Sequence, residues 1–458
     1  MKPPIYYPIA IRLAMPIYRY MVHKKSQHLP TYMREVKERF GQTYLPAPTA
    51  VHIPVDNLEK KVNKSGCHGR VIWCHAVSLG ELNTAYPMLK ILLNQGFNLW
   101  ITSTTQTGFN RASVLFEPLL GTRVNHSFVP VDNLKNIQVF IEHIQPVMTL
   151  FIETELWANT LYELRQRQIP AVMVNARLTE KSYQSYAKFP KLSTSMMQNL
   201  TAIIAQDEAS ADRFVRLGAD KVKVSVMDSL KWSSVHQLSA DNQRLIQQVQ
   251  MWQGVSHRPI WLVGSTHDAE ELLAIQAHKK LIEHDPATLL ILVPRHPERF
   301  DEVASLCQSS TFITHRRSKG ERIEPDTQVY LADSMGELLA WYAVCDVAVV
   351  GGSFVDVGGH NPIEPAALAK PVVMGKFIKN CEELVDGLSK VSALTITDSA
   401  SQCLADAVAS WLFDEDAAHQ AGMAGRQLVV AKENAATKQA EQLLIHLSIT
   451  DSTTNQRD

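Results

Sequence analysis

The chain has 458 residues, with 45 Lys and Arg against 46 Asp and Glu and a formal net charge of −1. This length predicts two or three domains that can each bury a full core. The balanced charge gives no general basic signal for nucleic acid. The six cysteines form no CxxC pair, which favours reduced cytosolic thiols over a disulfide framework or a zinc site.

The N-terminal segment, residues 1–40, is predicted to contact a membrane. Ile5–Val22 is rich in Ile, Leu, Met and Tyr, but arginines and prolines interrupt it, so a full crossing is not expected. No small-residue cleavage site of a signal peptide is present. The basic run His23-Lys24-Lys25 follows, and this combination favours a helix that lies on an anionic cytoplasmic leaflet. The alternative is a helix that packs on the core.

From about Arg70, apolar strand-like runs alternate with helical patterns. The predicted strands are Val71–His75, Leu99–Ser103, Val147–Ile152, Ala171–Val174, Ala202–Ala205, Ile260–Val263, Leu289–Val293, Val329–Leu331, Val347–Val350 and Pro371–Met374. A polar, helical stretch at Ser234–Gln253 separates the two series. The pattern predicts two Rossmann-like, doubly wound parallel sheets with a cleft between them. The predicted domains are residues 41–235 and 236–445, followed by a disordered tail at 446–458.

A glycine-rich loop follows the predicted strand Val347–Val350. Its residues include Gly351, Gly352, Ser353, Gly358 and Gly359, and it runs into Asn361-Pro362-Ile363-Glu364. Asn361 has the chemistry of an N-cap, Pro362 fits the first helical position and Glu364 the third. Because glycines allow a close backbone approach, free N–H groups and the helix dipole are predicted to face a phosphate. The alternative is a well-capped helix after a tight turn.

Ligands of open α/β sheets bind beyond the carboxyl ends of the strands. Three more polar strand ends therefore join the predicted site: Gly264-Ser265-Thr266-His267, Pro294-Arg295-His296-Pro297-Glu298-Arg299 and Asp333-Ser334-Met335-Gly336-Glu337. Arg295 can clamp a phosphate in fork geometry, and Ser334 with Glu337 predicts a second capping box. The chain lacks a GxxxxGK[ST] loop and a strand–GxGxxG–helix fingerprint, which argues against an ordinary NTPase or a dinucleotide dehydrogenase. A nucleotide-activated donor is the remaining prediction.

Acidic residues and one lysine stand at strand ends of the first half. Glu81 falls in the first turn of a helix, where it is either a general base for an acceptor hydroxyl or a partner of the helix dipole. Spacing alone favours the dipole role. Glu153 and Glu155 follow a strand and could bind a sugar or cap the next helix. Lys231, near the domain boundary, could neutralise an anionic donor or simply be solvated.

Together these segments resemble the Kdo transferases, the 3-deoxy-D-manno-octulosonic acid transferases of lipopolysaccharide assembly. The resemblance runs from about Tyr32 to Leu443. The motifs that carry it are His75–Glu81, Glu153–Trp157, Asn175–Leu178, Val293–Phe300, Met335–Glu337, Gly351–Ser353 and Gly358–Glu364. Each motif alone is weak, but all of them in order at consistent spacing are highly specific.

The resemblance implies an inverting glycosyltransferase of GT-B architecture that needs neither metal nor cofactor. It implies transfer of Kdo from CMP-Kdo to a lipid A precursor, lipid IVA, at the cytoplasmic face of the inner membrane. By the family pattern Glu81 is the proton acceptor, and Glu153 and Lys231 stabilise the transition state. The residues implied in CMP binding are Pro294, Arg295, Met335, Gly336, Glu337, Asn361, Pro362, Ile363 and Glu364.

The chain departs from the family pattern at two places. Asp228-Ser229 stands where the family usually has Gly-Asn, just before Lys231, and Asn380-Cys381 stands where it has Asn-Phe. The first concerns the geometry around Lys231, and the second concerns a loop near the donor. Two other functions remain open: a GT-B transferase or epimerase that uses a UDP-sugar, and a membrane-associated nucleotide-binding scaffold without catalysis. An acid at position 81 disfavours the scaffold.

Overall fold

The computed structural model describes residues 1–48, 69–234, 238–253 and 258–454. The chain divides into two compact units. The N-terminal unit is Met1–Ser233 with Asn434–Asp458, and the C-terminal unit is Ser234–Glu433. The end of the chain thus returns to the N-terminal unit, whereas the sequence-based division assigned residues up to 445 to the second domain.

Within the described residues, the N-terminal unit contains seven strands. They are β1 Val71–His75, β2 Asn98–Ser103, β3 Val124–Phe128, β4 Met148–Ile152, β5 Ala171–Ala176, β6 Ala202–Ala205 and β7 Val224–Val226. They form one parallel sheet in the order β3-β2-β1-β4-β5-β6-β7. Alternate residues of β1 enter different cores, with Ile72 and Cys74 on one face and Val71 and Trp73 on the other. Burial on both faces explains the nearly continuous apolar runs.

Nine helices before residue 234 flank this sheet in the described part of the chain. They are α1 Tyr6–Ser26, α2 Tyr32–Arg39, α3 Leu79–Asn94, α4 Gln106–Leu115, α5 Leu134–Ile144, α6 Ala158–Gln166, α7 Glu180–Ala187, α8 Pro190–Asn199 and α9 Glu208–Arg216. Short 3₁₀ helices lie at Glu117–Leu119, Lys221–Lys223 and Leu230–Ser233. The helix α1 is anchored by Tyr7, whose hydroxyl donates to Oδ2 of the buried Asp132 at 2.8 Å.

The C-terminal unit repeats this architecture. Its described strands are β8 Ile260–Thr266, β9 Leu289–Pro294, β10 Thr314–Arg316, β11 Val329–Leu331, β12 Val347–Val350, β13 Val372–Met374 and β14 Leu394–Ile396. They pair in parallel in the order β10-β11-β9-β8-β12-β13-β14. The helices are α10 Ala240–Gln253, α11 Glu270–His284, α12 Phe300–Ser309, α13 Leu338–Val344, α14 Ile363–Ala367, α15 Glu382–Lys390, α16 Ser401–Leu412 and α17 Glu415–Lys432, with 3₁₀ turns at Pro297–Arg299 and Arg317–Lys319.

The strand order reverses once in each sheet. In the N-terminal unit β1 lies between β2 and β4, and in the C-terminal unit β8 lies between β9 and β12. Loops that leave neighbouring strands on either side of such a reversal diverge, and they open a crevice at the carboxyl edge. We call these positions the β1/β4 and β8/β12 switch points, and they locate the candidate site in each unit.

The two predicted parallel α/β sheets are confirmed, but four strands were not predicted: β3, β7, β10 and β14. The strand β3 reads Val-Asn-His-Ser-Phe, yet all five residues are buried. Side-chain hydrogen bonds make this possible, since Asn125 Nδ2 donates to the carbonyl of Pro46 at 2.6 Å and Trp100 Nε1 donates to Ser127 Oγ at 3.0 Å. The apolar-run criterion cannot detect such a strand.

The chain ends in a helix of the N-terminal unit, α18 Ala435–Thr454. Ala436, Ala440, Leu443 and Leu447 are buried in the core that contains α3. The tail that was predicted to be disordered from residue 446 is instead helical as far as Thr454, and Leu447 packs in the core. Residues 455–458 lie outside the described residues, as does Cys67; the described residues contain no disulfide among the five other cysteines.

Candidate active site

His75 and Glu155 meet across the β1/β4 switch point. His75 is the buried last residue of β1, and its Nε2 lies 2.9 Å from Glu155 Oε2. Trp73 Nε1 donates to Thr102 Oγ1 at 2.8 Å, and the same oxygen lies 2.9 Å from His75 Nδ1. Every group is satisfied when Thr102 donates to Nδ1 and Nε2 donates to the carboxylate. Thr104 Oγ1 also donates to Glu155, at 3.0 Å, so this carboxylate is held in one orientation.

Glu81 stands in the first turn of α3, close to this pair. Ser78 is the N-cap of α3 and accepts a hydrogen bond from the Glu81 N–H at 3.4 Å. In return, Glu81 Oε2 accepts from the N–H of Val77 at 2.7 Å, which is a variant of the capping box because Val77 is the residue before the N-cap. Glu81 therefore does have a structural role, as a first-turn acid that stabilises the start of α3. The carboxylate accepts from the Val77 N–H and from the Ser78 hydroxyl, and the Glu81 side chain stays half-buried.

Electrostatics gives Glu81 a second property. The pKa of Glu81 is raised to about 8, mainly by burial and in part by the charges of Glu153 and Glu155, while the hydrogen bond from Val77 opposes the rise. A carboxylate whose pKa lies near neutrality is a stronger base than an ordinary one and can accept a proton from an acceptor hydroxyl. The structure thus brings Glu81, Glu153 and Glu155 into one acidic cluster.

Glu153 and Lys231 lie on separate turns of the same unit. Glu153 follows β4 with a left-handed φ of 61° and donates its N–H to the carbonyl of Val174 at 3.1 Å. Lys231 lies in the 3₁₀ helix Leu230–Ser233, which packs against α3. Ser229, one of the departures from the family pattern, is fully buried, and its hydroxyl accepts the Lys231 N–H at 3.4 Å. The altered residue therefore supports the turn.

In the C-terminal unit, Glu270 organises the loops at the β8/β12 switch point. Glu270 is 2% exposed, and its carboxylate accepts three backbone N–H groups: those of Gly352 at 2.8 Å, Phe354 at 2.9 Å and His267 at 2.9 Å. Gly351 also donates its N–H, to the carbonyl of Gly264 at 2.8 Å. A Cβ on Gly351 would lie 2.9 Å from the Glu270 carboxylate, which explains the glycine.

These bonds change the interpretation of the glycine loop. The sequence predicted free backbone N–H groups that face a phosphate. The N–H groups of Gly351, Gly352 and Phe354 instead bond within the protein, so that part of the prediction is wrong. An internal carboxylate already occupies the place where an external anion was expected. Nothing in the spacing of the loop indicated this, because Glu270 lies 82 residues before Gly352 in sequence.

Neither of the two helix starts in this unit that were predicted to have capping boxes forms the complete box. The side-chain oxygen of Asn361 accepts the N–H of Ile363 at 3.1 Å, as predicted for an N-cap, although regular helix begins only at Ile363. Ser334 instead donates to the carboxylate of Glu337, and α13 has no side-chain cap. Glu337 is bound by Arg317 at 2.8 Å. Burial raises the pKa of Glu337, but the hydrogen bonds from Arg317 and Ser334 outweigh it and leave that pKa below its ordinary value.

The other predicted CMP-binding residues surround these loops. Pro294 ends β9, and the N–H of Arg295 donates to the carbonyl of Thr266 at 3.1 Å. Met335 is exposed, Gly336 has a φ of 82°, and Pro362 and Ile363 are buried.

The altered loop 376–381 braces the glycines. Asn380 donates its N–H to the carbonyl of Gly358 at 2.8 Å, and a Cβ on Gly359 would lie 2.9 Å from Cys381 Sγ. Cysteine thus packs in the position where the family has a larger ring.

Three histidines converge beside Arg295. His267 Nε2 and His360 Nε2 lie 2.8 Å apart across the switch point, and the ring of His296 is 5.1 Å from that of His267. Sequence reasoning noted these residues only as parts of motifs and gave the histidines no role. In the part of the chain that the structure describes, no group of three or more His, Cys, Asp or Glu residues is arranged to hold a metal ion.

Comparisons with known proteins agree on a family. A family model described as 3-deoxy-D-manno-octulosonic-acid transferase (kdotransferase) matches residues 34–234. A 3-deoxy-D-manno-octulosonic acid transferase of Haemophilus influenzae is 33% identical over 439 residues, which cover 94% of this chain and 95% of that protein.

Two solved structures share the fold. A glycosyltransferase of Rickettsia africae has a TM-score of 0.55 at 15% identity, covering 83% of this chain and 98% of that chain. A UDP-GlcNAc 2-epimerase of Neisseria meningitidis bound to UDP-GlcNAc has a TM-score of 0.55 at 13% identity, covering 82% of this chain and 99% of that chain. At such identities they show the two-sheet architecture alone.

The raised pKa of Glu81 predicts how stability depends on pH. An unfolded Glu titrates near pH ~4.3, whereas burial raises the pKa of Glu81 to about 8. The folded protein therefore keeps the proton between these values. The stabilisation that this proton gives is present below the lower pKa and lost as pH rises through the upper one. Glu81→Gln, which mimics the protonated acid, should gain thermal stability relative to wild type as pH rises from about 5 to about 9.

The measurement is the thermal unfolding midpoint of both proteins across that pH range. Glu208→Gln is the matched control, because Glu208 is also a first-turn acid, at the start of α9, and is exposed. A stability difference for Glu81→Gln that stays constant with pH would contradict the raised pKa.

Proposed function

Since the chain belongs to the 3-deoxy-D-manno-octulosonic acid (Kdo) transferase family, we propose that its two units divide the work of Kdo transfer. The protein is a glycosyltransferase with the GT-B fold that transfers Kdo in the synthesis of lipid A and lipopolysaccharide. In this proposal the donor is CMP-Kdo and the acceptor is lipid IVA. The N-terminal unit handles the acceptor, and the C-terminal unit holds the nucleotide. The observation that carries the proposal is the half-buried Glu81, whose raised pKa suits a base.

In the N-terminal unit, Glu81 takes the proton of the acceptor hydroxyl. The freed oxygen attacks the anomeric carbon of Kdo, a new C–O bond forms, and the bond from that carbon to the phosphate oxygen of CMP breaks with its electron pair on the phosphate. Attack from the face opposite the leaving group inverts the configuration. Glu153 offers negative charge to the electron-poor sugar, and Lys231 offers positive charge to the departing CMP.

In the C-terminal unit, Arg295 is the residue best suited to the phosphate. Arg299, Arg316 and Arg317 each pair with carboxylates, whereas Arg295 forms no ion pair with any described residue. The cytidine and ribose are assigned to Pro294, Met335–Glu337 and Asn361–Glu364. The carboxylate of Glu364 is suited to accept hydrogen bonds from ribose hydroxyls.

Two other functions are less well supported. The likeness to the UDP-GlcNAc-bound epimerase is a likeness of fold at 13% identity, so it gives no argument for a UDP-sugar. A scaffold without catalysis would not need a carboxylate whose pKa is raised by burial and by two neighbouring acids.

We also propose that α1 holds the protein on the cytoplasmic face of the inner membrane. No helix among the described residues is long and apolar enough to cross a bilayer. The helix and its N-cap residue nevertheless expose a stripe of apolar side chains at helical spacing: Ile5, Ile9, Leu13, Ile17, Tyr20 and Met21. Arg12, Lys24 and Lys25 are exposed on the same helix. An apolar stripe bordered by cations fits an anionic lipid surface.

The central prediction concerns Glu81. Purified protein should convert lipid IVA to Kdo-bearing products with CMP-Kdo, and mass spectrometry of the lipid should count the units added. Glu81→Gln should keep its affinity for CMP but lose transfer by about 10²- to 10⁴-fold, the usual share of a general base. Glu208→Gln removes an equivalent first-turn acid and should leave the rate unchanged. Equal losses in both variants would reduce Glu81 to a helix cap.

The second prediction concerns divalent ions. We propose that Arg295, Lys231 and nearby helix ends balance the charge of the leaving CMP without a metal. Transfer assayed after treatment with excess chelator should proceed at the untreated rate. Loss of activity that Mg²⁺ or Mn²⁺ restores would refute this part of the proposal.

The third prediction concerns α1. Leu13 is 72% exposed on the apolar stripe, and burying such a side chain in lipid is worth about 1.5–3 kcal/mol. Leu13→Glu should therefore weaken binding to phosphatidylglycerol vesicles by roughly tenfold or more in a sedimentation assay. Val222→Glu, at a position that is 89% exposed in the same unit, is the matched control and should bind like wild type. Equal binding by both variants would exclude the stripe as the lipid contact.

A further inference from the structure

The contact between His267 and His360 limits the charge that the pair can hold. With the Nε2 atoms 2.8 Å apart, one nitrogen must carry a proton and the other must accept it. Two N–H groups would repel each other there, as would two lone pairs. The neutral pair therefore shares one Nε2 proton, and a singly charged pair can form by protonation of an Nδ1 atom. In that charged state both Nδ1 atoms carry protons and can donate to a ligand.

The surroundings hold these rings in place. A Cβ on Gly352, which has a φ of 66°, would lie 2.9 Å from the ring of His360, so glycine clears the space for the imidazole. The rings are nearly parallel, with 9° between their planes. The N–H of His267 is held by Glu270, the same carboxylate that fixes Gly352 and Phe354. Neither Nδ1 atom has a hydrogen bond to any residue in the described part of the chain.

The charges around the pair are mostly positive. The charges of His296, Arg295 and Arg299 disfavour protonation of His267, and those of Arg295 and His296 disfavour protonation of His360. The negative charge of Glu271 opposes this effect at His267. Glu271 is itself bound by Arg299 at 2.8 Å. Burial, then these cations, lower the pKa of both rings, that of His360 to about 4. Without a ligand the pair is therefore neutral near pH 7.

In the glycine loop, Gly351, Gly352 and Phe354 use their N–H groups within the protein and offer none of these three to an anion. Arg295 forms no ion pair with any described residue and acts on both imidazoles, whose Nδ1 atoms have no hydrogen bond within the described chain. We propose that His267, His360 and Arg295 together bind an anionic oxygen of the nucleotide-sugar donor, and that the histidine pair takes up one proton from solvent as the anion binds. This deepens the proposed function and rests on it for the identity of the donor.

The bound anion has two sources in such a donor, the phosphodiester and the carboxylate of the sugar acid. A negative charge beside the pair offsets the repulsion by Arg295 and favours the protonated state. The gain grows during transfer, because CMP leaves with one more negative charge than it carries as an ester. The pair would then act as a stabiliser of the leaving group that is recharged from solvent in each cycle.

The test is calorimetric titration of the full-length protein in buffers of different ionisation enthalpy. The first probe is the methyl ester of CMP, a phosphodiester with no proton of its own to exchange near neutral pH. Above the lowered pKa of the free imidazoles, wild type should take up as much as one proton per ligand, and over that range its affinity should fall by up to about tenfold per pH unit. Uptake that occurs only when free Kdo is added together with the ester assigns the anion to the sugar carboxylate instead. No uptake with either probe overturns the proposal.

Variants locate the proton. His360→Gln and His267→Gln should each bind the probe more weakly near pH ~6.5 and abolish the uptake, with unchanged thermal midpoints as the folding check. His284→Gln, at an exposed position at the end of α11, is the control and should keep the affinity for the probe and the proton uptake of wild type. Uptake that persists in both variants places the proton elsewhere and overturns the proposal. Kdo transfer without proton uptake refutes only this inference, whereas proton-linked binding without transfer refutes the proposed function.

Discussion

The reversal of strand order in each sheet is the constraint on which the rest of the site depends. It opens one crevice per unit, and in each crevice an imidazole stands at the end of the unit's first strand: His75 is the last residue of β1, and His267 directly follows β8. The partners differ. His75 faces the carboxylate of Glu155, whereas His267 faces a second imidazole, His360. The first crevice carries carboxylates and is the proposed acceptor side, and the second carries imidazoles beside Arg295 and is the proposed nucleotide side.

Two carboxylates show how the same residue type is used in opposite ways. Burial raises the pKa of both Glu270 and Glu81. Glu270 receives three backbone N–H groups and is sealed from solvent, so its charge fixes the loops at the β8/β12 switch point. Glu81 receives one backbone N–H and lies near two other acids. It remains half-buried, and its raised pKa lets the carboxyl group exchange a proton near neutral pH.

Much of this could be predicted from the sequence, because parallel strands that are buried on both faces leave apolar runs such as Val347–Val350. The strand ends then located the loops that carry Glu81, Arg295 and Asn361. The hydrogen bonds that orient the site could not be predicted, because they join residues that are far apart in sequence and leave no local pattern. Thr102 orients His75 from another strand, and Glu270 consumes the N–H groups of a loop 82 residues away.

Polar strands were missed for a related reason. The residues Asn125-His126-Ser127 of β3 look like a loop until the partners that satisfy them are known. The carboxylate of Glu155 was considered beside Glu153 in the sequence. Only its bonds to His75 and Thr104 reveal which of the two is held at the switch point.

The return of α18 to the N-terminal unit has a consequence for synthesis on the ribosome. The C-terminal unit, Ser234–Glu433, is one continuous stretch, but the N-terminal unit is interrupted by it. Ala440 and Leu443 of α18 complete the core around α3, the helix whose first turn holds Glu81. This core stays open until more than 430 residues have been translated, because α18 begins only at Ala435. The unit that starts emerging first is thus the one completed last, and its apolar surface needs protection during that interval.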